Sequence, residues 1–576
     1  MNLKRWFALT AALASQVSAT SLEITVEPVF NGEPLRLSSM RYETAALETL
    51  SVTRLSYLLS GFALERDDGQ WTELPNTTAW MDAAARRNTV LLDNVPAGKF
   101  RSLRFHIGPD AEDNAADVSK IPAGHPLNPN LNGLHWSWQG GYIFMAVEGH
   151  YREGNTEPKG YSHHLARDSN RTRISLSAPL DLTHDAGILL HFDLATLLNA
   201  PRPLSFKKDG TATHSRDGDP IAAALVANLP GAFRVQRIAS AAPVARNLPP
   251  AMPIDLPESF TPYPFTMSRT FPMPDLPRDN PLINERVSLG EKLFHEKALS
   301  RDGTISCASC HQAEAAFTDH LKTSKGIGGQ TGDRNSMQLS NLAWKREFFW
   351  DGRAASLRQQ VLMPIQDHRE MDESLDRIRE KLTASPAYPP FFRAAFRSPG
   401  ITAEKISLAL EQFLLTLSAH DSRFDRAMAG KSSLTDEEKH GFELFMTEYE
   451  PRTGQYGADC FHCHGGALFS DNQFHNNGLD GDELGRAKIT HTAADERKFS
   501  TPSLRNVALT APYMHDGRFA TLDEVIEHYS SGIHRSETLD PNLAKHPEKG
   551  LNLSTTDKAS LVAFLKSLTE ETMPAP

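Results

Sequence analysis

The sequence is poor in cysteine and has no long apolar run. Its 576 residues include four cysteines, all in two short motifs, so none is left for a structural disulfide. After the N-terminal region no run of roughly 18 apolar residues occurs, so no transmembrane helix is expected. A net charge of -11 gives no reason to expect nucleic-acid binding. With 40% hydrophobic and 23% charged residues, the composition is that of a soluble globular protein, and the length predicts about three or four domains.

The four cysteines belong to two copies of C-x-x-C-H, at Cys307–His311 and Cys460–His464. This is the attachment signal for c-type haem, in which two thiols bond the porphyrin vinyl groups and the adjacent histidine binds the iron. Two redox-active C-x-x-C pairs, or one zinc site of four cysteines, are the alternatives. Neither explains why a histidine follows both pairs. We therefore predict two covalent c-type haems, attached at Cys307, Cys310 and His311 and at Cys460, Cys463 and His464.

Residues 1–19 have the pattern of a secretory signal peptide. Lys4 and Arg5 precede a short apolar run, Trp6–Leu13, and Val17–Ala19 ends in small residues that suit cleavage. Export agrees with the haem prediction, because c-type haem is attached outside the cytoplasm. We therefore expect a periplasmic protein whose signal peptide is removed.

Residues 20–240 alternate between apolar and polar side chains, as β-strands do. Leu22, Ile24 and Val26 share one parity, and their neighbours are polar. Turn residues separate further strand-like runs, which are Val90–Leu92, Phe100–Ile107, Tyr142–Val147, Ile174–Leu176 and Ile188–Phe192. The pattern predicts an all-β sandwich or barrel.

Tryptophans and histidines are conspicuous in this region. Trp136 and Trp138 are alternate residues, so a strand would present both indoles on one face, as an aromatic core or a ligand platform. The histidines are His125, His135, His150, His163, His164, His184 and His191. A neutral imidazole suits copper or zinc, although most histidines in any fold are surface residues or hydrogen-bonded core residues.

Four stretches of this region together resemble the MbnP-type copper-binding family: Leu50–Leu64, Val95–Phe100, Phe105–Gly108 and Trp136–Gly149. The resemblance implies a periplasmic copper protein in which a tryptophan is oxidised to kynurenine. Trp136 and Trp138 are the candidates for that modification. We choose His125, His135 and His164 as candidate copper ligands because they lie near the tryptophans or in the run Ser162–Leu165. The region has no cysteine, which excludes a cysteine-containing metal site.

Residues 241–281 are rich in proline and mark a domain boundary. Eleven of the 37 prolines lie between Pro243 and Pro281. Such a stretch is extended and semi-rigid. It is either a plain spacer or a segment that holds the β domain against the haem domains.

We divide the rest of the chain into an N-terminal haem domain, 282–432, and a C-terminal haem domain, 433–576. A diverged repeat supports this division, since Gly290–Phe294 precedes the first haem motif and Gly441–Phe445 precedes the second. Thr435 and Glu438 form a capping box at the start of the second of these helices. Both halves are predicted to be mainly α-helical c-type cytochrome domains joined by long loops.

Nearly all of 285–570 resembles the bacterial di-haem cytochrome c peroxidases and their MauG and MbnH relatives. The motifs that carry the resemblance are Leu299–Ser306, Arg334–Asn335, Phe349–Ala354, Pro364–Ile365, Glu370–Met371, Thr501–Asn506 and Ala511–Gly517. By this resemblance, Gln360, Pro364 and Glu370 surround the open face of the first haem. Glu370 would be the acid/base that moves a proton between the oxygens of peroxide as their bond breaks.

The same resemblance implies two features between the haems. Trp350 matches a tryptophan that relays electrons from one haem to the other. Asn335, Thr510 and Pro512 match the ligands of a calcium ion that joins the two halves, with carbonyl oxygens supplying much of the coordination.

Two departures separate this chain from the cytochrome c peroxidases. Those enzymes often carry a histidine in the loop after the first haem motif, whereas Lys322–Thr331 has none. The first haem is therefore expected to be five-coordinate and open to peroxide. At the position seventeen residues after Pro512, the peroxidases have a methionine that binds the second haem, and the MauG branch has a tyrosine, here Tyr529. A phenolate stabilises oxidised iron. Met514 is the rival ligand, and Tyr529 could also be an ordinary core aromatic on a helical stripe.

Three functions follow from these features. In the first, peroxide charges both haems to a pair of Fe(IV) centres, which oxidise Trp136 or Trp138 of the same chain to kynurenine and so help to create a copper site. In the second, the protein is a cytochrome c peroxidase that reduces peroxide with electrons from a small cytochrome or a cupredoxin. In the third, it stores or delivers copper. Tyr529 favours the first over the second, and the histidine-free loop argues against the third.

Overall fold

The computed structural model describes residues 19–136, 140–240 and 254–571. The predicted signal peptide, apart from its last residue, lies outside the described residues, as does Trp138. Among the described residues the N-terminal region contains strands β1–β14: Ala19–Phe30, Glu33–Pro34, Tyr42–Glu43, Glu48–Arg66, Trp71–Glu73, Ala79–Asp82, Thr89–Pro96, Lys99–Ile107, Ile143–Glu153, Lys159–Ala166, Thr172–Asp181, Ala186–Asp193, Ala212–Thr213 and Phe233–Ser240.

These strands form two sheets that share one hydrophobic core. The larger sheet has the order β11-β8-β4-β9-β10-β13, with the short strands β3, β5 and β6 paired to β4. The smaller sheet has the order β14-β12-β1-β2, with β7 also paired to β1. β1 and β12 run parallel, with Leu22 opposite Ala186. The predicted sandwich is confirmed.

The 19-residue strand β4 is the centre of the larger sheet. It pairs with β8 on one side and β9 on the other, and nearly every residue of it is buried or half-buried. A helix outside the all-β prediction, α1 (Pro220–Ala232), adds Leu225 and Leu229 to the core of the sandwich. Its N-cap is Asp219, which accepts hydrogen bonds from the N–H groups of Ile221 and Ala222.

The described part of the proline-rich segment, 254–281, packs against both neighbouring regions. Phe271 is fully buried in the core of the first haem domain. The carbonyl oxygen of Pro272 accepts the indole N–H of Trp344 at 2.7 Å. One residue further on, the carbonyl oxygen of Met273 accepts the side-chain amide of Asn128 from the β domain at 3.0 Å. The segment therefore connects the β domain to the haem domain by contacts as well as by the chain.

The haem domains are helical, and the predicted repeat has a structural meaning. The longer helices, α2–α8, are Asn284–Phe294, Leu375–Ala384, Tyr388–Ala395, Ala403–Leu415, Asp436–Met446, Leu522–Ser531 and Thr555–Ser567. A Cβ atom added to Gly290 on α2 would lie 2.0 Å from the carbonyl oxygen of Ala409 on α5. Likewise, a Cβ atom on Gly441 of α6 would lie 1.9 Å from the carbonyl oxygen of Ser560 on α8. In each half the repeated glycine lets two helices pack backbone to backbone.

Short elements complete the chain. Helical turns of four to six residues are Ala111–Asn114, Pro129–Asn132, Leu194–Asn199, Phe206–Asp209, Cys307–Cys310, Leu357–Gln360, Met363–Gln366, Arg423–Met428, Phe461–His464, Ala487–Thr490 and Pro541–Ala544. Two strand pairs join Tyr449–Glu450 to Gln455–Tyr456 and Phe474–His475 to Phe499–Ser500. Of the helices in the described ranges, none has both the length and the apolar character needed to cross a lipid bilayer.

The β domain also contacts the C-terminal haem domain directly. β10 packs against the turn Pro541–Ala544, and a Cβ atom on Gly160 would lie 1.8 Å from the carbonyl oxygen of Pro541. On the adjacent β9, the imidazole of His150 donates from Nε2 to the carbonyl oxygen of Leu539 at 2.8 Å. This contact brings the histidine-rich strand β10 next to the second haem motif.

Candidate active site

The first haem motif is a single helical turn with a capping box formed by Ser306 and Ser309. His311 follows the turn, and its Nδ1–H donates to the carbonyl oxygen of Phe317 at 2.8 Å. That bond fixes the tautomer and leaves Nε2 to bind a metal, as in most metal-ligating histidines. The arrangement fits a proximal haem ligand.

The second motif repeats this geometry. Cys460 is the N-cap of the turn Phe461–His464, which contains the rest of the motif, and His464 donates from Nδ1 to the carbonyl oxygen of Phe469 at 3.0 Å. Burial lowers the pKa of both His311 and His464. The neutral imidazole is the form that binds iron. The residues of both motifs therefore fit covalent haem attachment.

A cavity of about 450 Å³ lies beside the first motif. Cys307, Cys310 and His311 line it on one side. Its wall also contains the residues predicted to surround peroxide or relay electrons, namely Gln360, Pro364, Glu370 and Trp350. Among the described residues that line the cavity, His311 is the only histidine. The structure thus brings together the residues predicted for an open haem pocket.

Glu370 is positioned by the turn Met363–Gln366 and the bend that follows it. Its own N–H donates to the carbonyl oxygen of Asp367 at 3.0 Å. Burial raises the pKa of the Glu370 carboxyl, and the charge of Asp367 raises it further. A carboxyl that keeps its proton to higher pH than an exposed glutamate is suited to general acid/base work.

The predicted calcium ligands lie in the same cavity wall, between the two haem domains. Asn335, Thr510 and Pro512 all line the cavity. The Asn335 side-chain amide donates to the carbonyl oxygen of Leu321 at 2.9 Å, which leaves its own Oδ1 available. No described hydrogen bond reaches the carbonyl oxygens of Thr510 or Pro512. Three oxygens of the type that Ca²⁺ prefers are therefore present.

Both candidate ligands of the second haem contact the same side chain. Asn477 approaches the Tyr529 hydroxyl at 3.3 Å and the Met514 sulfur at 3.5 Å through its amide nitrogen. Tyr529 lies on α7, and burial raises its pKa to about 12. A buried phenol of this kind ionises at neutral pH only beside a cation such as ferric iron. Both candidate ligands therefore lie close to one amide group.

The predicted copper ligands separate in the structure. His125 accepts a hydrogen bond from the N–H of Leu127 at 3.2 Å through Nδ1. His135 packs its ring against Tyr142, with 4.7 Å between centroids, and burial lowers its pKa to about 4. His164 groups instead with His214 and His462 among the described residues. The structure does not join His125 or His135 to it.

Trp136 lies next to this histidine group. Its half-buried indole packs on the core of the sandwich, and its ring centroid is 5.5 Å from that of His214. His214 is placed by the parallel pairing of β10 with β13, in which His163 is opposite Thr213. The next residues are His164 on β10 and His214 just after the end of β13. His214 and His462 are missing from the sequence-based prediction.

Comparison with known proteins identifies the haem-bearing half. Residues 284–433 match the family described as di-haem cytochrome c peroxidase. The methylamine utilization protein MauG of Methylorubrum extorquens is 39% identical over 300 residues, which cover 51% of this chain and 81% of that protein. The chain belongs to the di-haem cytochrome c peroxidase family. Like other members, it is a haem-dependent oxidoreductase, and membership implies two c-type haems and hydrogen peroxide as a reactant.

Further matches concern both halves of the chain. Residues 19–215 match the MbnP family, so this di-haem peroxidase is a fusion with an N-terminal MbnP domain, and that domain suggests copper. The cytochrome c peroxidase Ccp of Escherichia coli is 34% identical over 311 residues, covering 52% of this chain and 61% of that protein. A solved MauG-like protein associated with microbial copper homeostasis is 34% identical, with a TM-score of 0.49, and the match covers 54% of this chain and 97% of that chain.

Proposed function

We propose that this di-haem enzyme uses hydrogen peroxide to oxidise a tryptophan of its own β domain, Trp136 or Trp138, to kynurenine. The observation that carries the proposal is a series of ring contacts from Trp136 to the second haem motif. Trp136 is 5.5 Å from His214, and His214 is 5.4 Å from Phe461, measured between ring centroids. Phe461 is the residue after Cys460, so the series ends between the two cysteines that attach the second haem.

The reaction balances with peroxide as the only oxidant. Two molecules of hydrogen peroxide oxidise the indole and open its pyrrole ring, which gives N-formylkynurenine and two molecules of water. Hydrolysis then releases formate and leaves kynurenine. The side chain thus loses one carbon and gains one oxygen.

The haems, when bound, supply the irons that take two oxidising equivalents from each peroxide. The protein supplies the groups that transfer protons and the side chain through which electrons pass. Glu370 would hold a proton in the first haem cavity and move it from one oxygen of the peroxide to the other, so that the second oxygen leaves as water. Gln360 and Pro364 shape the space above the haem. Trp350, in the same cavity, is the side chain through which electrons pass between the two haem domains.

The proposal also includes two metal ions, calcium and copper. Calcium, held by Asn335, Thr510 and Pro512, would fix the two haem domains against each other. Copper would occupy the β domain, with His164 as a ligand, and His125 and His135 stay predicted ligands without a shared site. Export to the periplasm, where c-type haem is attached, is part of the same proposal.

Reduction of peroxide by an external donor is the second candidate function. The position of Met514 beside Asn477 favours it, because a thioether ligand would suit a second haem that accepts electrons from a small cytochrome or a cupredoxin. Tyr529 as the ligand favours tryptophan oxidation. The choice of ligand is therefore the structural point on which the two functions differ.

Peptide mass spectrometry of the haem-loaded full-length protein tests the proposal. We expect peroxide to convert the peptide containing Trp136 and Trp138 to a product with one carbon fewer and one oxygen more. Trp71 and Trp80 of the same domain serve as internal controls and should stay unmodified. W136F and W138F variants then identify the residue. Equal oxidation of all four tryptophans, or none, would contradict the proposal, and rapid turnover with a reduced cytochrome would support the second function.

A further inference from the structure

Three histidines from distant parts of the chain meet where the β domain contacts the second haem domain. His164 lies on β10, His214 follows β13, and His462 lies inside the second haem motif. The ring centroid of His214 is 5.2 Å from that of His164 and 5.2 Å from that of His462. The ring centroids of His164 and His462 are 5.7 Å apart. One ring nitrogen of each histidine lies within 4.8 Å of those of the other two. We refer to these three residues as the histidine cluster.

Two members of the cluster have one ring nitrogen on a carboxylate and the other without a described partner. His164 bonds Glu148 through Nε2 at 2.9 Å, and its buried Nδ1 has no partner among the described residues. His214 contacts Glu448 through Nδ1 at 3.2 Å, and its buried Nε2 likewise has none in the described part of the chain. An imidazole held by a carboxylate on one nitrogen and free on the other is the usual arrangement of a metal ligand.

The charges around the cluster favour a cation. Glu148, Glu448 and Asp459 contribute three carboxylates. Arg54 pairs with Glu148, and Lys545 pairs with Glu448 and Asp459. The three carboxylates therefore outnumber the two permanent cations by one in a largely buried region, and the remaining contact of Asp459 is with the imidazole of His546 at 2.7 Å. The carboxylate side of His462 is already occupied by the Lys545 ammonium, so the space among the three imidazoles is the better place for an ion.

The ligand set determines the class of ion. All four cysteines belong to the haem motifs, so no thiolate is available, and imidazole suits copper, zinc or nickel. Two nitrogens bound to one ion at about 2.0–2.1 Å lie about 3.3–4.1 Å apart, which small rotations of the three rings achieve. Copper has the highest affinity among these divalent ions.

We propose that His164, His214 and His462 bind one copper ion, and that this ion joins the β domain to the second haem domain. The site rests on the proposed copper binding by the β domain but not on tryptophan oxidation. Its third ligand comes from the haem domain, so neither domain holds the complete set. His462 stands between Cys460 and Cys463, so copper at this site would be bound to the loop that carries the second haem.

Metal binding by the haem-loaded full-length protein tests the proposal. Cu⁺, Cu²⁺ and Zn²⁺ are added separately, and the bound metal and its affinity are measured by elemental analysis and by competition with a chelator. We expect one equivalent of copper, bound more tightly than zinc. H462A should lower the copper affinity at least about 10-fold, because even the loss of an outer-shell partner costs that much. H214A should have a similar effect, whereas H184A, an exposed histidine of the same domain, should have none.

A second readout is the spectrum of the second haem, which should shift when copper is added to the wild type but not to H214A. Unchanged copper affinity in H462A with both haems attached would overturn the bridging site, as would the absence of copper binding by the wild type or a preference for zinc. If H462A fails to incorporate haem, X-ray absorption spectroscopy of the wild-type copper protein measures how many imidazoles bind the copper. Fewer than three imidazoles would contradict the proposal. Mass spectrometry of the same samples measures tryptophan oxidation separately.

Discussion

Trp350 donates its indole N–H to the backbone carbonyl oxygen of Asn335 at 2.9 Å. The residue proposed to relay electrons is thus held by a residue proposed to bind calcium. Asn335 in turn donates its own N–H to the carbonyl oxygen of His515 in the second haem domain at 2.8 Å. The orientation of the indole therefore depends on how the two haem domains meet.

Replacement of Trp350 by phenylalanine removes both the N–H donor and the easily oxidised indole. We expect W350F to lose about 1 kcal/mol of stability for the hydrogen bond, and to transfer oxidising equivalents to the second haem more slowly. Stopped-flow absorbance after one equivalent of peroxide measures that transfer. W80F is the matched control, because Trp80 also donates a buried indole N–H, to Ser56 at 2.9 Å, but lies in the β domain. Equal transfer rates in the wild type and W350F would exclude the relay.

Removal of calcium should act through the same contact. A chelator is expected to slow transfer to the second haem in the wild type, because the Asn335 loop and the cavity wall at Thr510 and Pro512 would lose their common ion. In W350F the chelator should have little further effect, since the side chain it perturbs is gone. Elemental analysis measures the calcium content before and after treatment. A calcium-free protein that reacts at the normal rate would contradict this role.

Replacement of Tyr529 by phenylalanine tests the ligand of the second haem. Y529F should change the absorption and magnetic circular dichroism of the ferric second haem, because the phenolate is lost, and should reduce tryptophan oxidation. M514L, which removes the rival sulfur next to the same Asn477 amide, should leave both properties close to those of the wild type. The opposite result, a spectrum that changes only in M514L, would assign the ligand to methionine.

Replacement of Glu370 by glutamine should lower the activity and change the pH dependence of the stability. We expect peroxide-driven oxidation to fall about 10²–10⁴-fold, because the amide cannot transfer a proton. Burial raises the pKa of Glu370, so its contribution to stability is full below the ordinary glutamate pKa and is lost as the pH rises through the raised value. The free energy of unfolding of E370Q, relative to that of the wild type, should therefore increase as the pH increases. E380Q, at an exposed position on α3, is the control.

Gly160 tests the contact between the β domain and the second haem domain. In G160A the new Cβ atom would meet the Pro541 carbonyl oxygen at 1.8 Å, so one backbone must move. We expect a loss of about 1–3 kcal/mol in urea unfolding and weaker copper binding. At Gly187 on β12 the nearest atom would be 4.0 Å away, so G187A should be tolerated. A G160A protein as stable as G187A would contradict a backbone contact at Gly160 that is too close for a methyl group.

The alternation of side chains predicts only part of the sandwich. Strands β1, β7, β8, β11 and β12 contain runs that the sequence predicts, and β9 contains all but the first residue of the run Tyr142–Val147. β4 and β10 are almost wholly buried, so they lack alternation even though β4 is central to the larger sheet. Alternation detects a strand with one exposed face. A strand buried on both faces, such as β9, is predicted only where it forms a short apolar run, as Ile143–Val147 does.

The candidate site also has one part that the sequence predicts and one part that it does not. Each haem motif is a contiguous pattern, so it is readable without a structure. The histidine cluster draws on residues separated by 50 and by 248 positions, and only the pairing of β10 with β13 and the domain contact bring them together. His462 also lies inside the second C-x-x-C-H motif. Haem attachment already explains that motif, so the sequence gives no reason to expect a further metal ligand there. Position in the sequence alone did not indicate which histidines lie together, since His125 and His135 stay predicted copper ligands but only His164 lies in the cluster.

The position of His462 also imposes an order of assembly. The chain emerges with the β domain first, and domains tend to fold as they appear. His164 and His214 can therefore be in place early, but the third imidazole arrives only with the segment that must first present Cys460 and Cys463 to receive haem. A complete three-histidine site would then form only in molecules that have finished haem attachment and closed the domain contact, so tight copper loading would mark the fully matured enzyme.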